Sequence, residues 1–202
     1  MESTLKNMLL SLGGICLVCA LLLAVVNSLT ENKIAEVNRN KTAQAIAQVV
    51  PAFEGEPVDT TVTLDGEQFA VHMAMAADSV VGYAVETSQV GFGGPVNLMV
   101  GFDAAGCICS TAVVSHSETP GLGAKITEDE GAFRTQFAGK NPAEFNLAVT
   151  KDGGDVDAIT ASTITSRAFT AAVAKAYKVY FAVTGSTAAE QEPQDGEGGI
   201  DE

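Results

Sequence analysis

Basic residues are scarce: 11 Lys and Arg stand against 25 Asp and Glu in 202 residues, for a formal net charge of −14. A chain this acidic is unsuited to gripping phosphate backbones or anionic lipid through a soluble surface, so nucleic-acid binding is excluded as a main role. Histidine is also thin, with two in the chain, and the four cysteines fall in two pairs, Cys16/Cys19 and Cys107/Cys109. Neither pair has a second ligand pair behind it, so no metal site is expected, and the second pair reads as packed thiols on one face of a strand. No Gly-x-Ser-x-Gly elbow is present and nothing positions His116 against Asp157 as a hydrolytic pair, which leaves no catalytic residue to name. Internal repeats are missing as well.

What the chain does have begins with a stretch free of charge, Met8 to Leu29. About 20 apolar residues rising roughly 1.5 Å each cross a hydrocarbon core about 30 Å thick. The stretch exceeds the apolar region of a cleavable signal, which is roughly 7–15 residues, and Val26-Asn27-Ser28 makes a poor cleavage site. We expect an uncleaved single-span anchor over residues 1–30. Lys6 precedes the span while Lys33, Arg39 and Lys41 follow it, so charge does not orient it.

Residues 31–51 then show apolar positions near helical spacing, ended by Pro51, and predict a connecting helix. From Thr60 onward the period changes to that of strands. Thr61–Leu64 and Glu67–Met75 flank Asp65-Gly66 as a hairpin; Val80–Gln89 follows; Val96–Phe102 and Cys107–Val114 form a second hairpin around Asp103–Gly106. A short helix over Glu130–Ala138, a short strand over Phe145–Val149 and a long helix over Ile164–Val183, closed by Gly185, complete the domain. Strands first and helices segregated indicate an α+β fold with an antiparallel sheet. Residues 186–202, acidic and rich in Gly, Pro and Gln, predict a disordered tail.

Three segments carry the chemistry. Thr160, Ser162, Thr163, Thr165 and Ser166 crowd the mouth of the long helix beside Asp157. Such hydroxyls cap orphan N–H groups, but one cap needs one hydroxyl, and the same helix end favours a phosphate. The second segment, Glu118-Thr119-Pro120-Gly121-Leu122-Gly123, is either a strand-to-helix turn or a loop that offers backbone and a packing face to a flat ring. The third, Gly91-Phe92-Gly93-Gly94-Pro95, reads as a structural turn and lacks the spacing of a dinucleotide fingerprint.

Taken with Lys151-Asp152-Gly153-Gly154, these blocks in this order resemble the G-type, FMN-binding subunit of the Rnf electron-transport complex. More distantly, they resemble the C-type subunit of the sodium-translocating NADH:quinone reductase. The resemblance implies an FMN-binding domain over 52–185, with flanking helices on its sheet, behind one N-terminal transmembrane helix. In that family the last block reads Asp-x-x-Ser/Thr-Gly-Ala-Thr, and a separate flavin transferase esterifies its final threonine with FMN taken from FAD. Thr163 is the implied attachment site, with Asp157 and Thr160 in the recognition pattern. Here Ala161 and Ser162 stand in place of Gly-Ala, which makes Ser162 a competing acceptor and suits Ala161 only if that residue needs no positive φ.

The resemblance further places Glu118, Thr119, Leu122, Gly123 and Lys151 around the flavin. It implies a relay of electrons within a complex that couples ferredoxin oxidation and NAD reduction to ion movement. Membrane and iron–sulfur subunits are the implied partners, and the soluble domain is implied to face outward from the cytoplasmic membrane. With one span and no charge inside it, the chain itself is not expected to move ions. The alternatives are the quinone-reductase subunit and a flavin-free anchored interaction domain whose hydroxyls only cap a helix.

Overall fold

The computed structural model describes residues 2–77, 79–128 and 132–190. Its elements are α1 (Glu2–Val49), β1 (Val58–Leu64), β2 (Glu67–Ala76), β3 (Ser79–Val90), β4 (Pro95–Asp103), β5 (Ile108–His116), α2 (Ala132–Thr135) and α3 (Thr163–Glu190). The chain divides into two compact units, Met1–Ala43 and Gln44–Glu202. In the first unit α1 carries the one helix segment among the described residues that is long and apolar enough to cross a membrane. Leu9, Leu17, Leu22 and Val26 are exposed along it. The last turn and a half of α1 belongs to the second unit, where Ala45, Ile46, Val49 and Val50 are buried.

The second unit is a five-stranded antiparallel meander in the order β1-β2-β3-β4-β5. Both expected hairpins form. Asp65 and Gly66 adopt φ of 53° and 83°, the paired positive angles that match the strand twist, and Leu64 lies opposite Glu67. Alternation along the strands sorts side chains by size. Val96, Leu98, Val100 and Phe102 of β4 point to one face, with Val71, Tyr83, Val85 and Ile108, and meet α3 there. Ala74, Ala84, Met99 and Ala112 point to the other face and receive the end of α1. Small residues on that face let a helix lie close.

α3 presents Phe169, Ala172, Val173, Ala176, Val179, Tyr180 and Val183 to the sheet, three and four residues apart. Near its start Phe169 meets Phe133 and Phe137 with ring centroids 5.2 and 5.3 Å away. Farther along, Tyr180 packs on Tyr83 and Phe102 at 5.2 and 5.0 Å. These two aromatic groups fix the height and rotation of α3, and therefore where its first turn sits.

Three local expectations are corrected. No strand forms over 145–149; Val149 makes a single parallel bridge to Val156, and the segment bonds to itself through Asp155 N to Asn146 O and Val156 N to Ala148 O. It folds back at Gly153, which adopts φ of 84°. Gly185 does not end α3, which continues to Glu190, since one helical glycine costs only about 1 kcal/mol. The described part of the short helix is Ala132–Thr135, while residues 129–131 and the tail beyond 190 lie outside the described residues.

On the face shared with α1, the His72 side chain is nearly buried between two carboxylates. Nδ1 lies 2.6 Å from Asp59 Oδ1 and Nε2 3.3 Å from Glu86 Oε1. Burial pulls its pKa down, but hydrogen bonds and charge from Glu86 and Asp59 outweigh that and leave it above 6.5. The imidazolium satisfies both carboxylates at once, whereas the neutral ring has one N–H to give. A raised native pKa means that His72 contributes its full stability below about pH 6.5 and loses it as pH climbs through the native value. Thermal midpoints measured across this range should fall with rising pH in the natural chain, and His72→Gln should flatten that slope; an equal slope in the variant refutes the assignment.

Candidate functional site

Antiparallel pairing of β3, β4 and β5 brings two loops together. Val96 lies opposite His116, so the turn 91–94 before β4 stands beside the segment that leaves β5. Gly91 N donates to Gly94 O at 2.8 Å and closes that turn. Glu118 is buried between the loops: Oε1 accepts from Phe92 N at 2.8 Å, and Oε2 accepts from Gly93 N at 3.3 Å. Its own N–H donates to His116 Nδ1 at 3.1 Å. The start of α3 closes the third side.

Between them lies a cleft of about 370 Å³, lined by Phe92, Glu118, Thr119, Leu122 and Gly123 and by residues 161–165. That volume falls in the roughly 300–1,000 Å³ range of small-molecule sites. Three of its walls are apolar yet open, with Phe92 69%, Ile164 51% and Leu122 44% exposed. Three large apolar side chains facing one cleft suit a flat, largely apolar ring, because each gains by being covered. Polar groups from Thr119, Ser162, Thr163 and Thr165 lie among them.

The hydroxyls at the helix mouth divide the work. Ser166 accepts from Ile159 N and donates to Ser162 O, each at 3.0 Å, and so ties the preceding turn to the helix. Ser162, Thr165 and Ser166 are buried. Thr163, the first residue of α3, is half-buried, and its Oγ1 accepts from Lys151 Nζ at 3.4 Å. Ser166 thus ties the 159–162 turn to the helix, and the Thr163 hydroxyl sits beside the Lys151 cation at the edge of the cleft, at a helix start whose first N–H groups have no intrahelical partner.

Lys151 is aimed by its neighbour. Arg167 donates Nε and Nη2 to the two oxygens of Asp152, both at 2.6 Å. This fork holds the Asp152 carboxyl below its usual range, with the Lys151 charge adding to the effect. Arg167 lies four residues after Thr163, on the same helix face, so the fork pins the 150–153 turn against that face.

Two expectations change. Thr160 is exposed and lines, with Asp157, Phe133 and Gln136, a separate depression of about 270 Å³. The chain reverses between it and the cleft because Ala161 has φ of +64°. Alanine in this left-handed conformation costs about 1–2 kcal/mol, so the condition under which it replaces glycine freely is not met. Ala161→Gly should therefore stabilise the domain, with the extra freedom of an unfolded glycine, about 0.4–1 kcal/mol, offsetting part of the gain. Calorimetry should show a rise of about 1–3 °C in the midpoint; a lower midpoint contradicts the strain.

Sequence reasoning missed Phe92 and Ile164 as cleft walls and the Asp152–Arg167 fork. The fork had a visible signal, a basic residue one helical turn beyond the candidate threonine. Phe92 was masked by glycines that read as a turn.

Residues 91–178 match the FMN-binding domain family, and residues 2–49 match the RnfG N-terminal region. Over 187 residues the chain is 33% identical to the G-type subunit of the ion-translocating oxidoreductase complex of Shewanella amazonensis, covering 86% of each. It is 34% identical over 179 residues to the G-type subunit of the Na(+)-translocating ferredoxin:NAD(+) oxidoreductase complex of Acetobacterium woodii, covering 81% of this chain and 85% of that one. Among solved structures it is similar to the C-type subunit of Na(+)-translocating NADH-quinone reductase from Parabacteroides distasonis, with 22% identity, a TM-score of 0.48, and coverage of 70% and 81%.

Proposed function

The chain belongs to the RnfG family, the G-type subunits of ion-translocating oxidoreductase complexes, and from that premise we propose that it is a membrane-anchored electron carrier whose FMN is joined by a phosphoester to Thr163. The observation that carries this reading is the Thr163 hydroxyl, paired with Lys151 at 3.4 Å on the rim of the apolar cleft. FMN, when bound, supplies a ring that accepts and releases electrons. The residues of the chain hold it. Lys151 and the first N–H groups of α3 offset the charge of a phosphate at Thr163. Phe92, Leu122 and Ile164 would pack against the ring, and Thr119 would offer a hydrogen bond to its edge.

A carrier fixed by an ester cannot lose its cofactor between electron donor and acceptor, and the open mouth of the cleft leaves an approach for both. In this reading α1 anchors the domain on the outer face of the cytoplasmic membrane. A flavin transferase matures the chain, and membrane and iron–sulfur subunits of a ferredoxin:NAD oxidoreductase of the Rnf type exchange electrons with it. The full chain co-expressed with a flavin transferase, boiled in detergent and run on a gel, should give a band that fluoresces under ultraviolet light. A dark band from the same co-expression contradicts the reading.

A further inference from the structure

Glu118 is a carboxylate only 5% exposed at the floor of the cleft, and it holds its neighbour loop by backbone alone. Both of its oxygens accept, one from Phe92 N and one from Gly93 N, which is the arrangement that makes a buried carboxylate tolerable. The surrounding backbone is cleared for it. A Cβ added at Gly91 would lie 2.0 Å from Glu118 Oε1, and one at Gly123 would lie 2.6 Å from Oε2. At Gly93 the added atom would strike Ser117 O at 2.2 Å. Glycines from both loops therefore close on one side chain.

The consequence falls on Phe92. Its ring is 69% exposed, on a turn whose own closure is the single Gly91 N to Gly94 O bond. An exposed ring on so short a turn keeps its place over the cleft only if its backbone is gripped, and Glu118 grips the N–H of that same residue. We propose that Glu118 is a positioning residue, which locks the 91–94 turn to the 118–123 loop so that Phe92 shields the bound flavin from water. This rests on the reading of the cleft as the FMN site.

Glutamine cannot take over the role. Its carbonyl replaces one acceptor, but its amide nitrogen is a donor and would face a second N–H, so the grip on the turn is lost. The test uses full-length chain matured with a flavin transferase, with the flavin ester first confirmed by mass. Glu118→Gln and Phe92→Ala should each weaken the visible circular dichroism of the flavin. Each should also raise its quenching by iodide about twofold, as expected when a covering aromatic is removed. In the double variant the second change should add nothing, since both act through one shield.

Additive effects, or unchanged quenching in flavin-loaded Glu118→Gln, overturn the proposal. Should Glu118→Gln fail to fold or load, Phe92→Ala decides alone: Phe92 is exposed, and unchanged quenching there overturns the shield. A natural chain with no flavin ester overturns the proposed function itself, and this inference with it.

Discussion

Thr163→Ala should abolish the covalent flavin proposed for this chain. The effect is all-or-none because the other hydroxyls are poorly placed to substitute. Ser162 and Thr165 are buried, Ser166 is held between Ile159 N and Ser162 O, and Thr160 lies on the far side of the turn made by Ala161. The substitution should leave the fold intact, since alanine is the best helix former and Thr163 is not the residue that ties the helix mouth. The expected result is gel fluorescence at the level of chain expressed without a transferase, with a thermal midpoint close to that of the natural protein. Thr163→Ser should keep the fluorescence. If Thr163→Ala fluoresces after boiling in detergent, another hydroxyl is the acceptor, and the role given to Lys151 goes with it.

Phe169→Ala has the largest expected effect on stability. Phe169 is fully buried and touches both Phe133 and Phe137, so it joins α2 to α3 less than two turns after Thr163. Truncating a buried phenylalanine costs about 3–5 kcal/mol, through lost transfer energy and the cavity left behind. Against the roughly 5–15 kcal/mol total of a typical domain, this removes much of the margin. At about 2–4 °C per kcal/mol for a domain of this size, the midpoint should drop by roughly 6–20 °C. Thermal unfolding of the full chain in detergent reads this directly. A drop of no more than about 2 °C, the size of a surface change, would show that the aromatic group does not hold the start of α3 in place.

Much of the fold was legible because local and long-range preferences agreed. Asp65-Gly66 between alternating strands specifies a turn whose geometry also suits the sheet, and Asp103–Gly106 does the same for β4 and β5. The helix over 164–183 is visible because its apolar face repeats at the helical period. Reading failed where tertiary surroundings decide. Residues 145–149 look like a strand, but their backbone bonds to the 153–156 segment rather than to the sheet. Gly185 looks like a stop, yet the helix runs past it. That Ala45, Ile46 and Val49 become core is not visible in the helical spacing of residues 31–51, because they are covered only once Ala74, Ala84 and Ala112 form a face of the sheet.

The site divides along the same line. The loops 118–123 and 160–166 stand out in the sequence as blocks of unusual composition, and the fold does bring Glu118, Thr119, Leu122, Gly123, Ser162 and Thr163 to one cleft, with Lys151 at its edge. Thr160 shares the block but not the cleft, because a single left-handed residue turns it away. No property of the sequence announces that Phe92 N–H meets Glu118, since the contact spans 26 positions and is made by backbone.

The most direct test of the ester is the mass of the tryptic peptide from Asp152 to Arg167, taken from full-length chain matured with a flavin transferase. It holds five hydroxyl residues, and fragmentation separates them. Covalent attachment as proposed predicts an FMN adduct carried on Thr163. An unmodified peptide, or an adduct on any other residue, contradicts it.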